Sequence, residues 1–347
     1  MSERLTNILG YLTLAAILAA IWILFGEDPT RDQGARGELT FSGLSERINE
    51  TASILITKDG QQVSLKRNGS AWQVENREGF TANNEMVRAF LRGFALSTRR
   101  EPKTANMERF DRLGLGADAI QVKLADDTDG TLLDIRVGTR KESGGGRSLT
   151  YVFQASDTRS WLVSRLVAIA TEPSEWLKTE LYSVAKPRIR RVRYSDAVLV
   201  RASKGADFTL EGLQANEQPA ENWQLAEPAR MLSLLKVEDV QRLANPITDP
   251  TGTVTLETYD GLNLQLSAFD LDGATWVQVV ADYDPKRADE LTVSELSEAQ
   301  VEGVAEAEKI NAAANGWLFK LAELEAGLIM RRRGDFVKKN TESNSGS

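Results

Sequence analysis

The spacing of apolar and polar residues changes character at two points along this chain. Ile8 to Phe25, ILGYLTLAAILAAIWILF, is an uncharged apolar run. A helix of about 20 such residues is long enough to cross the hydrocarbon of a bilayer, so the run predicts a transmembrane helix within an anchor at 1–26. A cleaved signal peptide is the competing reading. The bulky residues Trp22, Ile23, Leu24 and Phe25 stand where a peptidase requires small ones, which favours a retained helix. Residues 27–50, with Pro29 and Gly34, read as a polar spacer, and Leu39 to Ile48 as an amphipathic lead-in.

Beyond residue 50 the period shortens to that of strands. Ser53–Thr57 and Val63–Arg67 flank Asp59-Gly60, a strong hairpin signal, and Trp72–Val74 predicts a third strand. Asn83-Asn84 then offers a cap, with Met86, Val87, Phe90, Leu91 and Phe94 at helical spacing. Ile120–Leu124, Leu132–Val137 and Leu149–Phe153 form a second β set. Trp161, Leu162, Leu166 and Ile169 read as an amphipathic helix, and Trp176 as part of a further short one.

The order then recurs. Ala197–Arg201 with Phe208–Leu210 answers the first hairpin, Trp223 answers Trp72, and Met231–Leu243 answers the Met86 helix. Thr253–Glu257, Leu262–Ala268 and Thr275–Val280 answer the second β set, and Trp317 answers Trp161. Such fixed-order recurrence points to duplication. The predicted class is α+β: a single N-terminal transmembrane helix, then two repeated units of antiparallel sheet with packed helices. The units span 51–190 and 191–337, the second carrying a helical insertion near 287–314, and a disordered tail at 338–347 closes the chain.

Composition narrows the chemistry more than the fold. The net charge is −8 with a pI near 5.0, which argues against nucleic acid as a partner, because phosphate binding needs a basic face. The absence of His and Cys removes the usual zinc sites, Ser-His triads, Cys nucleophiles, haem and iron–sulfur ligation. An enzyme would have to use carboxylates, Lys, Ser, Thr or Tyr. No catalytic or cofactor motif is recognised, and the chain reads as a non-enzyme without a cofactor. Lys and Arg are close to balanced across the apolar run. The short N-terminal flank and long following domain therefore decide the expected placement: a bacterial inner-membrane protein with its bulk in the periplasm.

Several local patterns invite a chemical reading and fall short of it. Asp126, Asp127 and Asp129 before Gly130 suggest a calcium loop, but Ala125 occupies the position that requires an acid, so a hairpin turn is expected. Asp270 and Asp272 before Gly273 read in the same way. Gly144-Gly145-Gly146-Arg147 lacks the Gly-Lys-Ser/Thr end of a phosphate loop. Ser183 and Lys186 have Ser-x-x-Lys spacing, but Pro187 pushes Lys186 from helical geometry. Lys186, Arg188, Arg190, Arg191 and Arg193 make a dense basic run, read as a joining strand whose charges are answered by acids, in preference to an anion site. Trp72, Trp161, Trp176, Trp223, Trp276 and Trp317 read as core. In the insertion, Leu291, Leu296, Val301 and Val304 oppose Glu295, Glu298, Glu302 and Glu306. That apolar side is the best candidate interaction surface unless the body itself covers it.

Two ordered signatures carry a resemblance. The first is Lys103-Thr104, Arg109, Leu113-Gly114-Leu115, Val137-Gly138, Tyr151-Val152 and Trp161-Leu162. The second is Glu308–Asn311 followed by Gly316-Trp317-Leu318-Phe319-Lys320-Leu321. With the apolar anchor they resemble bacterial membrane proteins of the domain of unknown function 4340 family. Its motif residues here, Lys103, Thr104, Arg109, Leu113, Gly114, Leu115, Gly138, Trp161, Trp176, Gly316 and Trp317, are expected to be structural. The resemblance implies association with an ABC-transporter ATPase, its permease and a gliding-type auxiliary subunit. The expected function is an accessory subunit of such a transporter. The alternative is a periplasmic binding module for an envelope glycan, lipid or peptide.

Overall fold

The computed structural model describes residues 12–18, 20, 36–143, 147–180, 184–233, 237–243, 247–287 and 293–338. Residues 12–18 of the apolar run are helical, and Leu12, Leu14, Ile17 and Leu18 lie half-exposed or more. Among the described residues no helix is long and apolar enough to cross a membrane. The rest of the run, apart from Ala20, lies outside them, as do Gly144 to Gly146, Ser183, Leu291 and the tail from Lys339. The chain divides into two compact units, 1–76 with 82–176, and 77–81 with 177–347. The division falls at Trp176/Leu177, where the sequence pattern places it at 190/191.

The first sheet contains β1 (Ser53–Lys58), β2 (Gln61–Asn68), β3 (Ala71–Val74), β4 (Phe80–Thr81), β5 (Thr98–Pro102), β6 (Ile120–Ala125), β7 (Thr131–Ser143), β8 (Arg147–Gln154) and β9 (Trp161–Ser164). Its order is β4-β3-β2-β1-β6-β7-β8-β9-β5, with antiparallel pairing. Local chemistry accounts for much of it. Asp59 and Gly60 both have positive φ, 50° and 79°, as the tight hairpin between β1 and β2 requires. Alternation buries Ile54, Ile56, Val63 and Leu65 on one side. After the short helix α1 (Leu44–Arg47) and β1–β4, helix α2 (Asn84–Ala95) starts where the Asn83 side chain accepts from the N–H groups of Glu85 and Met86. It buries Val87, Phe90, Phe94 and Ala95.

The second sheet contains β10 (Ile189–Tyr194), β11 (Val198–Val200), β12 (Thr209–Leu210), β13 (Val237–Arg242), β14 (Gly252–Thr258), β15 (Leu262–Leu271), β16 (Ala274–Tyr283) and β17 (Trp317–Leu321). Its order is β12-β11-β10-β14-β15-β16-β17-β13. With β4 set aside, the two orders are the same when β1 is matched to β10, β6 to β14, β9 to β17 and β5 to β13. The architecture is α+β, with two antiparallel sheets of repeated topology. Helices α3 (Asn222–Ala226), α4 (Val293–Ala314) and α5 (Glu323–Ile329) belong to the second unit. α4 is inserted between β16 and β17, just before Trp317.

Several matches within the repeat differ from the sequence reading. Trp161–Ser164 is a strand, not a helix, and all four of its residues are buried. A short strand buried at every position has no alternation to distinguish it from a helix. Residues 231–243 are likewise not a helix: a 3₁₀ turn ends at Ser233, and β13 follows. The register of β13 slips between Val237 and Asp239. This bulge buries Val237 and Val240 three residues apart and so imitates a helical period. β10 slips between Ile189 and Arg191, burying Ile189 and Val192 at the same spacing. Arg190, Arg191 and Arg193 of the basic run therefore lie on β10, an internal strand of the second sheet, while Lys186 and Arg188 lie on the 3₁₀ turn before it, and the strand match moves from 197–201 to the earlier 189–194. Trp223 lies on α3 and is 65% exposed, so it is not the counterpart of the buried Trp72.

Candidate interaction surface

The first family signature converges on one patch of the first unit. A 3₁₀ helix, Met107–Leu113, is capped by Asn106, whose side chain accepts from the Glu108 N–H, and Gly114 ends it at φ 66°. This turn lies against β7 so closely that a Cβ on Gly138 would sit 2.3 Å from the Leu113 carbonyl oxygen. A Cβ on Gly114 would sit 2.6 Å from Thr139 Oγ1. The register of β7 against β8 slips between Val137 and Arg140, beside this contact. The approach lets Leu113 and Leu115 join Phe110, Tyr151, Phe153 and Leu162 in one apolar cluster, with Phe110 edge-on to Phe153 at 4.8 Å.

The other signature residues around this patch are also engaged in packing and hydrogen bonding. The Lys103 N–H donates to Ser160 O, and the Thr104 carbonyl accepts from both the N–H and the hydroxyl of buried Ser160. Lys103 Nζ lies 2.7 Å from Glu101 Oε2, and this ammonium holds the Glu101 carboxyl below its ordinary range. Arg109 is exposed on the 3₁₀ helix. Trp176 is buried edge-on to Phe90 at 5.3 Å and donates from Nε1 to Ala170 O.

The repeat also duplicates a pairing that the sequence reading missed. The Arg99 guanidinium lies 4.6 Å over the Trp161 ring, and Arg242 lies 4.3 Å over Trp317. Each arginine comes from β5 or its counterpart β13, and each tryptophan from β9 or its counterpart β17. Gly316, at φ 76°, leads into β17 where a Cβ would approach Arg242 Nη1 at 3.3 Å. The available signal was an Arg in each strand that pairs with the Trp strand, opposite Trp317 in the second unit and opposite Val163, two residues from Trp161, in the first. It is visible only once 237–242 is known to be a strand.

The basic run is tied to acids and carbonyls within the second unit. Arg191 and Arg193 reach the buried Glu257 at 3.5 and 2.9 Å, and Arg191 also reaches Glu211 at 3.2 Å. Arg188 makes a forked contact with Glu306 of α4, at 2.9 and 2.8 Å, and a further contact with Asp260 at 2.7 Å. These carboxylates raise the Arg188 pKa further above its already high value, Glu306 foremost. Arg201 is buried and donates to the carbonyls of Ile189, Lys204, Lys186 and Pro187 at 2.7 to 3.0 Å. It lies between the Phe208 and Tyr259 rings. Nothing in the local sequence marks it as the clasp of the segment entering β10.

The insertion packs on its own unit. β16 pairs with β17 only at Trp276 and Val277, and α4 lies against β16 beyond that point. Asn311 accepts from the Ala281 N–H at 2.9 Å and donates to the Ala281 carbonyl at 2.8 Å. Its amide thus completes the ladder where a neighbouring strand would otherwise do so. Ala307, Ile310 and Ala314 are buried, and Gly303 meets the Tyr283 ring. Of the four candidate contact residues, Val304 is 39% exposed. Leu296 and Val301 lie within α4, and Leu291 lies outside the described residues.

Acidic turns are closed by local hydrogen bonds. Asp126 Oδ1 accepts from the Thr128 hydroxyl and N–H and from the Gly130 N–H, which together hold its carboxyl below the usual range. Among the described residues, no group of three or more acids is placed to hold a metal ion. An open depression of about 540 Å³ lies beside α5, lined in part by Leu324, Leu328, Met330 and Arg331. Arg331 is paired with Glu227 there. The family model described as Domain of unknown function (DUF4340) matches residues 72–252. No curated protein and no solved structure matches the chain.

Proposed function

The chain belongs to the DUF4340 family, and from that premise we propose that it is a membrane-anchored, non-enzymatic accessory subunit of an ABC-type transporter complex. Its partners are the permease, the ATPase and a gliding-type auxiliary subunit. The apolar run at 8–25 serves as a single-pass anchor in a bacterial inner membrane, with the two sheets in the periplasm. The observation that carries the reading is how the charged and signature residues are used. Arg188, Arg191, Arg193 and Arg201 hold β10 and α4 in place, and the signature glycines and aromatics pack one unit's interior. Such a body serves as a scaffold. The exposed leucines of the 12–18 helix support the anchor.

A second reading, a binding module for an envelope glycan, lipid or peptide, is favoured by the depression beside α5. The test is recovery of a C-terminally tagged chain from native membranes in gentle detergent, followed by mass spectrometry. Recovery of an ABC ATPase and permease in fixed ratio is expected. Recovery of the folded protein alone overturns the subunit reading. A saturable rise in melting temperature with an envelope ligand would then establish the second.

A further inference from the structure

The first unit has one end where exposed apolar and basic residues meet, and the described stretch 36–143 begins there, at Arg36. Residues 37–40 add to the outer edge of β5. Gly37 N–H donates to Arg99 O, Arg99 N–H to Glu38 O and Thr40 N–H to Ser97 O, at 2.8 to 3.0 Å, with Leu39 opposite Thr98. On its other side, Thr98 pairs with Ser164 of β9, so residues 165–167 leave the sheet at the same end. The last turn of α2 closes the group, since a Cβ on Gly93 would meet Arg165 O at 3.0 Å and Val167 N at 3.6 Å. Leu39, Leu96 and Val167 are exposed here, at 40, 42 and 37%.

Basic residues surround them. Arg92 and Leu96 are four residues apart and share a helix face. Arg165 is exposed beside Val167, and Arg100 is exposed with its Nε on Ser164 Oγ at 3.2 Å. Arg36 precedes the added strand. The nearby acids are Glu38, Glu101, Glu142 and Asp157. Glu101 is matched by Lys103 at 2.7 Å, Glu142 by Arg140 at 3.3 Å and Asp157 by Arg99 at 2.8 Å, so Arg36, Arg92, Arg100 and Arg165 leave the balance of this end positive in a chain of net charge −8. The ten residues 26–35 separate Arg36 from the apolar run. Fully extended, they reach at most about 35 Å.

We propose that this end of the first unit, with Leu39, Leu96 and Val167 among Arg92, Arg100 and Arg165, rests on the membrane surface and contacts anionic lipid headgroups. A few apolar side chains inside a basic rim is the composition that interfacial binding selects. The short tether keeps the face within reach of the bilayer. The proposal rests on the reading of 8–25 as a bilayer anchor.

The test uses the full chain in vesicles of phosphatidylcholine and phosphatidylglycerol in equal parts. Because the chain has no Cys, Leu96→Cys or Val167→Cys each gives a single attachment point for an environment-sensitive fluorophore. Ser70→Cys, at the β2–β3 turn on the far side of the sheet, is the reference, and Ile17→Cys reports the anchor. Headgroup-nitroxide lipid is expected to quench the probes at 96 and 167 but not at 70. Arg92→Glu with Arg165→Glu is expected to weaken that contact about fivefold for each charge removed. Probes at 96 and 167 as water-exposed as the one at 70, while Ile17 reports hydrocarbon, overturn this proposal alone. An Ile17 probe in water overturns the anchor reading and this proposal with it. Unchanged quenching in the double variant overturns the headgroup assignment.

Discussion

Gly138→Ala is the sharpest perturbation of the family signature, because one methyl group meets backbone atoms that have little room to yield. The added Cβ would lie 2.3 Å from the Leu113 carbonyl oxygen, where ordinary contact begins at 3.4 Å, and 3.0 Å from Leu115 Cγ. Relief requires lifting the 113–115 segment from β7. That movement withdraws the fully buried Leu115 from Phe110, Tyr151, Phe153 and Leu162. Overpacking a core costs about 1–3 kcal/mol, and partial re-exposure of one leucine adds about 1–2 kcal/mol. The expected loss is therefore roughly 2–5 kcal/mol in the first unit.

The matched control is Gly327→Ala. Its Cβ meets nothing within 4 Å, and Gly327 is exposed within α5. It should gain up to about 1 kcal/mol, because alanine favours helix and narrows the unfolded ensemble. Urea unfolding of both variants measures the difference, and hydrogen exchange locates it around 107–115 and 135–140. Gly138→Ala within about 0.5 kcal/mol of the parent chain, with unchanged exchange there, would refute the close-approach argument.

Three further outcomes follow from the geometry. Arg201→Lys replaces a fork serving four carbonyls with a single ammonium, and should cost about 2–4 kcal/mol in urea unfolding; a change near zero would show that the carbonyls find other donors. Asn311→Leu removes both bonds to Ala281, so the Ala281 amide should exchange markedly faster while amides in β14 and β15 stay protected. Equal rates in parent and variant would count against the edge-capping role of α4. Asp126 should titrate below the ordinary aspartate range by NMR, and Thr128→Val should raise that midpoint. Its folded-state pKa is depressed, so its contribution to stability is present above the ordinary aspartate pKa and fades as pH falls through the lowered value. An unshifted midpoint in the parent chain would contradict the hydrogen-bonded turn.

The features legible in the sequence depend on near neighbours in the chain. Asp59-Gly60 specifies its hairpin because both residues accept positive φ, and Asn83 specifies the start of α2 because its side chain serves N–H groups two and three residues on. The α+β class and the doubled order of elements rest on similar local periods, read twice, and the inserted helix before Trp317 on a helical period that occurs in the second unit alone. The misread segments are those where a partner distant in sequence decides the outcome. β9 is buried at every position because both of its faces are covered, Leu162 by the cluster around Phe110 and Leu115 and the neighbouring Trp161 by Arg99, and β13 mimics a helix because its register slips against β17.

For the candidate surfaces the same rule separates what the sequence holds from what the fold adds. The sequence marks Leu113-Gly114-Leu115 and Val137-Gly138, but the reason for two glycines appears only when β7 meets the 107–113 turn. It marks the basic run, but pairing with Glu257, Asp260 and Glu306 depends on strands and a helix more than sixty residues away. The role of Arg201 is set by four carbonyls that converge only in the folded chain. Composition by itself determined which chemistries lack His or Cys ligands. Tertiary structure alone decided which charges are spent internally and which, at the Leu39–Leu96–Val167 end, face outward, because exposure depends on how distant segments pack against one another.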